Sequence, residues 1–335
     1  AWVQDRRGPN RVGIPWSLLV PSWKDWQVFG LLQPAADGLK MIFKEEYTPA
    51  HVDKRLFVLA PIVILAAALA IFAVIPMGDE IPPIPALGLD EPISLTVAPI
   101  LDVGLIYVFA LSSIAVYGVI LGGWASNSKY SLLGGVRASA QMISYELSLG
   151  HAIVSLVLLV GSLRLGDFIQ YQADTTWFVF QQPLAFFIFL VSAYAETNRL
   201  PFDLPEAESE LVAGYHTEYP AMKFAAFFLA EYIAMITASA LVVTLFCGGW
   251  TLFGIEKLGW LAGVLIFVGK VAFFAFVFIW VRWTLPRFRY DQLMRLGWAW
   301  FLPLALANVI LTAAATAYKA PWLAWILPAL LIVVG

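Results

Sequence analysis

Glutamates at helical spacing are the residues in this chain best suited to chemistry. Pro205 fits the first turn of a helix, the position that proline prefers. On such a helix Glu206, Glu210, Gly214 and Glu218 lie on one face, each four residues from the next. Like charges so close repel each other and raise the pKa of at least one carboxyl, so a ridge of this kind can hold and pass protons. The same acidic segment, residues 196–223, also holds Glu196 and Glu208.

A solvated acidic helix is the alternative explanation of this segment. Against it stand the apolar and aromatic side chains between the acids, which are Leu200, Phe202, Leu204, Leu211, Val212 and Tyr215. That mixture is typical of a segment folded into an apolar interface.

The composition indicates whether these residues lie in a membrane protein or in a soluble one. Hydrophobic residues make up 61% of the 335 residues and charged residues 13%, against roughly 45–50% and about 25% in soluble domains. The chain is therefore expected to be a membrane protein. A net charge of −3 gives no reason to expect nucleic acid as a partner.

The sequence offers few side chains that could bind a metal or a redox cofactor. Cys247 is the single cysteine, which excludes an iron–sulfur cluster or a cysteine-ligated zinc held by this chain alone. Of three histidines only His151 lies in an apolar run, where a hydrogen-bonded core histidine is the preferred interpretation. No Glu-x-x-His pair and no glycine-rich phosphate motif occurs. We therefore expect no redox cofactor bound by this chain.

Seven apolar runs are long enough for the roughly 20 residues that a bilayer-spanning helix needs. They are Leu56–Ile75, Pro99–Leu121, Ala140–Val160, Trp177–Ala195, Phe224–Cys247, Trp260–Val281 and Ala299–Tyr318. A shorter run, Trp322–Gly335, is either an eighth helix cut off by the end of the sequence or an interfacial segment. The predicted fold class is all-α: a polytopic transmembrane helix bundle of seven or eight spans, forming one membrane domain over residues 1–335.

Basic residues predict the orientation, since cytoplasmic loops carry an excess of Lys and Arg. Segments 1–55, 122–139, 196–223 and 282–298 hold 16 of the 20 lysines and arginines. These segments are expected to face the cytoplasm at a bacterial inner membrane, or the matrix if the chain comes from an organelle.

An amphipathic helix is predicted at about residues 29–44, before the first full span. Apolar residues recur there at helical spacing, and Gln33 and Asp37 belong to the polar face. A surface anchor explains this pattern as well as a functional role does.

Ionisable residues inside the predicted spans are Glu146, Glu231 and Lys270. Placing an ionisable residue in a bilayer costs free energy, so its default interpretation is a role in a proton or ion pathway. The alternative for each is a structural charge with a partner, and this is the preferred interpretation of Asp102, which lies nearer the outer interface.

Four arginines, Arg282, Arg287, Arg289 and Arg295, cluster just inside the predicted membrane boundary. The positive-inside rule alone accounts for them. Arginine can also clamp a carboxylate, and Asp291 and the acidic segment are expected on the same side.

Five stretches of this sequence, taken in order, resemble the NuoH family, the quinone-chamber membrane subunit of respiratory complex I, the NADH:quinone oxidoreductase. They are Gln4–Gly13 (QDRRGPNRVG), Gly30–Asp37 (GLLQPAAD), Ala195–Leu204 (AETNRLPFDL), Glu210–Tyr219 (ELVAGYHTEY) and Pro286–Leu293 (PRFRYDQL). The motifs are long and specific, and the similarity covers almost the whole chain.

The resemblance implies a membrane subunit at the junction with the hydrophilic arm, forming much of a quinone chamber and the start of a glutamate-lined proton path. Chamber positions match Arg6, Gln33, Asp37, Arg199, Phe202 and Asp203. Path positions match Glu146, Glu196, Glu206, Glu208, Glu210, Glu218 and Glu231. Supporting charges are expected at Lys270, Arg282, Arg287, Arg289 and Asp291. Implied partners are quinone and the other membrane-arm and hydrophilic-arm subunits, with iron–sulfur clusters and FMN carried by the partners.

The sequence departs from the family pattern at its start. The family has a first transmembrane helix before the Gln4 motif, so one more span is expected in the mature protein. Residues 14–29 are an insertion with Trp16, Trp23 and Trp26, rings that settle at headgroup level, and this insertion is expected along the membrane surface.

Two other functions remain open from the sequence. One is the membrane anchor of an energy-converting hydrogenase. The other is a stand-alone proton-coupled transporter, which is weakened because no inverted repeat is visible. The sequence does not discriminate ubiquinone from menaquinone.

Overall fold

The structure is a computed structural model that describes residues 33–83, 90–99, 101–203, 214–252, 254–255, 259–320, 322 and 325–329. The regular secondary structure within these ranges is helical, apart from one isolated backbone pairing between Ile81 and Ile93. The predicted all-α class is confirmed. Of the last apolar run, only residues 322 and 325–329 are described, and the insertion at residues 14–29 lies outside the described part.

Eleven α-helices are described. They are α1 (Gln33–Phe43), α2 (Lys54–Ile71), α3 (Gly104–Ala125), α4 (Lys129–Val160), α5 (Leu165–Asp174), α6 (Phe178–Gln181), α7 (Pro183–Glu196), α8 (Ala221–Phe246), α9 (Trp260–Thr284), α10 (Tyr290–Arg295) and α11 (Leu302–Ala317). Short 3₁₀ turns cover Phe72–Val74 and Gly214–His216, and a π-helix at Leu296–Phe301 joins α10 to α11.

Six helical stretches in the described residues are long and apolar enough to cross a membrane. They are Lys54–Val74, Gly104–Ala125, Lys129–Val160, Ala221–Phe246, Trp260–Thr284 and Tyr290–Ala317. The remaining predicted span, Trp177–Ala195, is shorter than expected, because the run from Trp177 is interrupted and α7 begins only at Pro183. Proline has no N–H to donate and is tolerated in the first helical turn, so it starts a helix here instead of continuing one.

Helix α4 is longer than its apolar run. It begins at Lys129, not at Ala140, and ends at Gly161, which adopts the left-handed conformation with φ 74°. The predicted loop 122–139 is therefore mostly helical, with only residues 126–128 outside the helices. Hydropathy detects the membrane-embedded part of a helix and does not detect its extension into the polar region.

Hydrogen bonds fix which helix ends lie together. Asp53 caps α2 by accepting from the backbone N–H groups of Arg55 and Leu56, and its own N–H donates to the Ala125 carbonyl at the end of α3. At the other end, the Leu105 N–H donates to the Leu163 carbonyl. We call the end with Asp53 the basic side and the end with Leu163 the opposite side.

Helix α4 is the centre of the bundle, since α3, α7 and α11 all pack against it. Helix α8 packs against α2 and α9. Half of the apolar stretch of α8 is buried, against only 11% of that of α9. Most of the surface of α9 is therefore available to contact lipid or other proteins.

Gly134 on α4 makes the closest backbone approach on the basic side. A Cβ atom there would lie 2.7 Å from the Gly214 Cα and 2.7 Å from the Tyr215 backbone nitrogen. Only a residue without a side chain lets the 3₁₀ turn at Gly214–His216 lie against α4.

We expect Gly134→Ala to destabilise the protein by about 1–3 kcal/mol, the usual cost of overpacking. Gly150→Ala on the same helix is the control, because no atom lies within 4 Å of its added Cβ. Thermal unfolding of the purified protein in detergent measures the difference. Equal midpoints for the two variants would show that the turn can move away without cost.

Candidate functional site

A buried ion pair links a loop on the basic side to a spanning helix. The Arg199 Nη2 atom lies 2.8 Å from the Glu231 Oε2 atom, and the two side chains are 8% and 5% exposed. Arg199 belongs to the loop after α7, and Glu231 lies within α8. The Tyr215 hydroxyl donates to the other Glu231 oxygen at 2.8 Å. Glu231 is therefore a structurally paired charge that is bound to two different loops.

Aromatic rings complete the surroundings of Arg199. Its guanidinium lies 4.5 Å from the Tyr232 ring centre and 5.5 Å from that of Phe228. Arginine is suited to such sites because its planar cation stacks on rings and is more weakly hydrated than a lysine ammonium.

The loop from Thr197 to Asp203 turns sharply to bring Arg199 inward. Asn198 has φ 50°, and asparagine tolerates this left-handed conformation better than most residues. The Leu200–Pro201 peptide bond is cis. The Phe202 N–H donates to the Arg199 carbonyl at 2.8 Å, which closes the turn.

A second loop on the same side, residues 285–289, packs onto the first. The Arg287 Nη2 atom lies 3.3 Å from the Asp203 Oδ2 atom, and the rings of Phe202 and Phe288 stack with centres 5.5 Å apart. The Phe288 N–H donates to the Pro201 carbonyl. The structure therefore brings Arg199, Phe202, Asp203 and Arg287 into one cluster, which we call the loop cluster.

The other charges of the basic segment lie outside this cluster. Arg289 and Asp291 form an exposed ion pair at 3.3 Å, a kind that contributes little to stability. Arg282 is exposed near the end of α9.

Glu146 and Glu196 form a second group of carboxylates, between α4, α3 and the end of α7. Ser112 and Ser113 on α3 both donate to Glu146. Glu196 and Ser112 line one cavity, and the charges of Glu196 and Glu146 repel each other. We call Glu146, Glu196, Ser112 and Ser113 the carboxylate–serine group.

A cavity of about 90 Å³ lies among α2, α3, α4, α7 and α8, beside the carboxylate–serine group. Its walls are mostly apolar, and its polar lining includes Glu196, Glu231, Ser112 and Tyr215. A single water needs about 10–15 Å³ measured in this way, so the cavity has room for several.

Lys270 on α9 reaches the opposite side of the bundle from the loop cluster. Its Nζ atom donates to the carbonyls of Cys247, Gly249 and Thr251 at 2.6, 3.0 and 2.7 Å. It also lies 4.5 Å from the centre of a Trp177 ring. These carbonyls follow the C-terminus of α8, where the helix dipole favours a cation. Lys270 is therefore explained as a structural charge whose partners are backbone carbonyls.

The remaining predicted residues lie apart from these groups or outside the described part of the chain. Gln33 and Asp37 lie on α1, hydrogen bonded to each other at 3.2 Å, and α1 lies against α8. His151 is half-buried and contacts the Leu147 carbonyl through Nδ1. Arg6, Glu206, Glu208 and Glu210 lie outside the described residues.

Glu218 does not continue an α-helical ridge. Gly214 has φ 63°, which ends regular α-helical geometry, and residues 214–216 form a 3₁₀ turn. Glu218 lies in the turn that follows, half-buried. The prediction that Gly214 and Glu218 share one helical face with the earlier acids is therefore wrong.

Sequence reasoning missed Gln141 and the two serines on α3. Gln141 is completely buried and donates to the loop that carries Arg199. Its sequence neighbourhood does not reveal its partners, since these are mainly backbone carbonyls from a distant segment. A polar residue on the helix that also carries Glu146 was the one signal that could have found it.

The fold and these groups define a class, the multi-pass helical membrane proteins with ionisable residues inside the bundle. A family model described as NADH dehydrogenase matches residues 1–313. The chain belongs to this family, and relatives named as H subunits of NADH-quinone oxidoreductases confirm the resemblance to that subunit of complex I.

Three relatives illustrate the similarity, each named as the H subunit of an NADH-quinone oxidoreductase. The first of two such proteins from Geobacter metallireducens is 53% identical over 312 residues, which cover 93% of this chain and 87% of that protein. One from Cytophaga hutchinsonii is 48% identical over 320 residues, 94% and 88% of the two chains. One from Deinococcus deserti is 50% identical over 327 residues, 96% and 78% of the two chains.

The pairing of Arg199 with Glu231 predicts strong non-additivity. Arg199→Met leaves a buried carboxylate without its cation, which costs about 3–5 kcal/mol. Adding Glu231→Gln removes the stranded charge, so the double variant should recover part of that loss. A double-mutant cycle on thermal stability measures the coupling. Purely additive losses would mean that the two groups do not interact.

The contacts of Lys270 predict a local loss of stability. Lys270→Met should leave three carbonyls without their cationic donor and speed amide hydrogen exchange in residues 247–251. Lys270→Arg keeps the charge and is the matched variant, expected to retain part of the protection. Unchanged exchange in Lys270→Met would show that water satisfies these carbonyls equally well.

Proposed function

We propose that this chain is a membrane subunit of an NADH:quinone oxidoreductase, that its loop cluster forms part of the quinone chamber, and that its buried carboxylates begin a proton path. The observation that carries the proposal is the buried Arg199–Glu231 pair. It connects a loop expected to meet quinone with a carboxylate inside a spanning helix.

The loop cluster has the chemistry that quinone reduction needs. Reduction of a quinone to a quinol takes up two electrons and two protons, so negative charge develops on the ring oxygens. Cations and hydrogen-bond donors near those oxygens stabilise this charge, and Arg199 and Arg287 are such groups. Phe202 and Phe288 add aromatic surface for a flat ring. The electrons come from cofactors in partner subunits.

The proton path begins at Glu231 in this proposal. From Glu231 and Tyr215, water in the cavity leads to Glu196, and Ser112 leads from there to Glu146. Carboxylates and hydroxyls both donate and accept protons, so each step is chemically reversible.

Arg199 supplies the coupling between the two parts. Its guanidinium charge lies against the Glu231 carboxylate while the pair is intact. When negative charge appears on quinone, Arg199 is drawn toward it and the pair weakens. Glu231 then takes up a proton, and the return of Arg199 after quinol formation drives that proton into the cavity.

The location in the cell follows from the spans and the basic loops. The chain is a multi-pass membrane protein, and we propose the bacterial inner membrane as its location. The basic side, which carries the loop cluster, faces the cytoplasm and the hydrophilic arm.

Glu146→Gln tests the path in the intact complex. Glutamine keeps the size and the hydrogen bonds to Ser112 and Ser113 but carries no exchangeable acid proton. We expect quinone reduction and proton pumping to fall together by about 10-fold or more, in line with the loss of a proton-transfer group. Reduction of an artificial acceptor on the hydrophilic arm should be unchanged.

Asp167→Asn is the matched control, since this carboxylate also accepts from a serine, Ser162, but lies on the opposite side. Its quinone reduction should stay at the parental level. Parental pumping in Glu146→Gln would contradict the proposed path. Purification of the chain without other subunits or iron–sulfur absorbance would contradict the proposed complex.

A further inference from the structure

We propose that Gln141 on α4 is a positioning residue that sets the shape of the loop carrying Arg199, Phe202 and Asp203. The inference deepens the proposed function and rests on it, because the loop's precise shape matters only if the loop meets quinone. Gln141 belongs neither to the chamber positions nor to the proton path described above.

One side-chain amide holds both ends of this loop. The Gln141 Nε2 atom donates to the Ala195 carbonyl at 2.8 Å and to the Phe202 carbonyl at 2.8 Å. It also lies 3.3 Å from the Asn198 side-chain oxygen. An amide nitrogen carries two hydrogens, so the two short bonds to backbone carbonyls use both of them.

The two carbonyls stand on either side of Arg199 in the chain. Fixing Ala195 and Phe202 to one nitrogen sets the distance across the loop and therefore the direction in which Arg199 leaves it. The Gln141 side chain is completely buried, so water does not compete for these acceptors.

Helix α4 also contacts α10 and the π-helix, which follow the second loop of the cluster in the chain. The Tyr145 hydroxyl donates to the Leu293 carbonyl at 2.9 Å, and the Trp298 indole donates to the Ser144 hydroxyl at 3.0 Å. Gln141 thus holds the first loop on α4, and the next helical turn holds the helix that follows the second loop. The same helix then carries Glu146, so loop position and proton path share one rigid element.

Misplacing a reacting group by about 1 Å can cost about 100-fold in rate. Removing the Gln141 donors frees the loop from α4 while leaving Arg199, Phe202 and Asp203 chemically intact. We therefore expect the quinone kinetics to change, although the side chains that bind quinone or transfer protons are themselves unchanged.

Gln141→Met in the intact complex is the first test, since methionine has a similar length and no donor. We expect kcat/KM for quinone to fall by about 10-fold or more, after normalisation to the artificial-acceptor activity that counts assembled complexes. The fall should include a higher KM for both short-chain and long-chain quinones.

Gln172→Met is the matched control. Gln172 is also buried, and its amide nitrogen donates to the carbonyls of Phe168 and Thr244 at 3.1 Å each. Its oxygen accepts from the Gly248 N–H at 3.0 Å, on the opposite side of the bundle. Gln172→Met loses at least as many hydrogen bonds as Gln141→Met, so a purely structural effect on quinone kinetics would appear equally in both variants. We expect its quinone kinetics to stay within about twofold of the parent.

Gln141→Glu provides a second readout and keeps the side-chain size if the methionine variant assembles poorly. A neutral carboxylic acid can donate one hydrogen to a loop carbonyl, whereas an ionised one faces both carbonyls as an acceptor. Quinone turnover relative to the parent should therefore be highest at low pH and fall as the pH rises. A pH profile parallel to that of the parent would count against the proposal.

Two results separate the possible failures. If Gln141→Met and Gln172→Met have the same quinone kinetics while Arg199→Met abolishes turnover, Gln141 is only structural and the proposed function stands. If Arg199→Met also keeps parental quinone turnover, the proposed function fails and the positioning role fails with it.

Discussion

The burial of Arg199 and Glu231 together constrains the elements around them. Moving a single charge from water into an apolar bundle costs several kcal/mol, so each of the two needs the other at close range. The distance of 2.8 Å between them ties the loop after α7 to α8. Tyr215 adds the 3₁₀ turn to the same carboxylate. Three segments far apart in the chain must therefore be in place before either charge is stable.

Helix α4 provides the frame on which these segments meet. Its Gly134 lies against the 3₁₀ turn, its Gln141 bonds to the first loop, and its Tyr145 bonds to α10, which follows the second loop. Glu146 then follows, where α4 faces α3. Groups expected to bind quinone and groups expected to pass protons are thus displaced together when α4 moves.

Length and apolarity were sufficient to find six of the seven predicted spans, because a bilayer imposes both on every helix that crosses it. The seventh run, Trp177–Ala195, is divided before Pro183. Length and apolarity did not give the start of α4, since residues 129–139 are too polar to appear as a span and still form helix. The sequence also singled out Arg199, Glu231 and Lys270 individually. Their partners could not be predicted, because Glu231 lies on a different element from Arg199 and the acceptors of Lys270 are backbone carbonyls, which no side-chain pattern reveals.

The contacts of Lys270 bear on how the chain enters the membrane during synthesis. A lysine near the centre of an isolated helix costs about 2.5–3.5 kcal/mol on insertion scales. The three carbonyls that it meets, from Cys247 to Thr251, precede it in the chain and are already made when α9 leaves the ribosome. Insertion of α8 and α9 together as a helical hairpin therefore satisfies the lysine at once, whereas insertion of α9 alone would expose its charge to lipid.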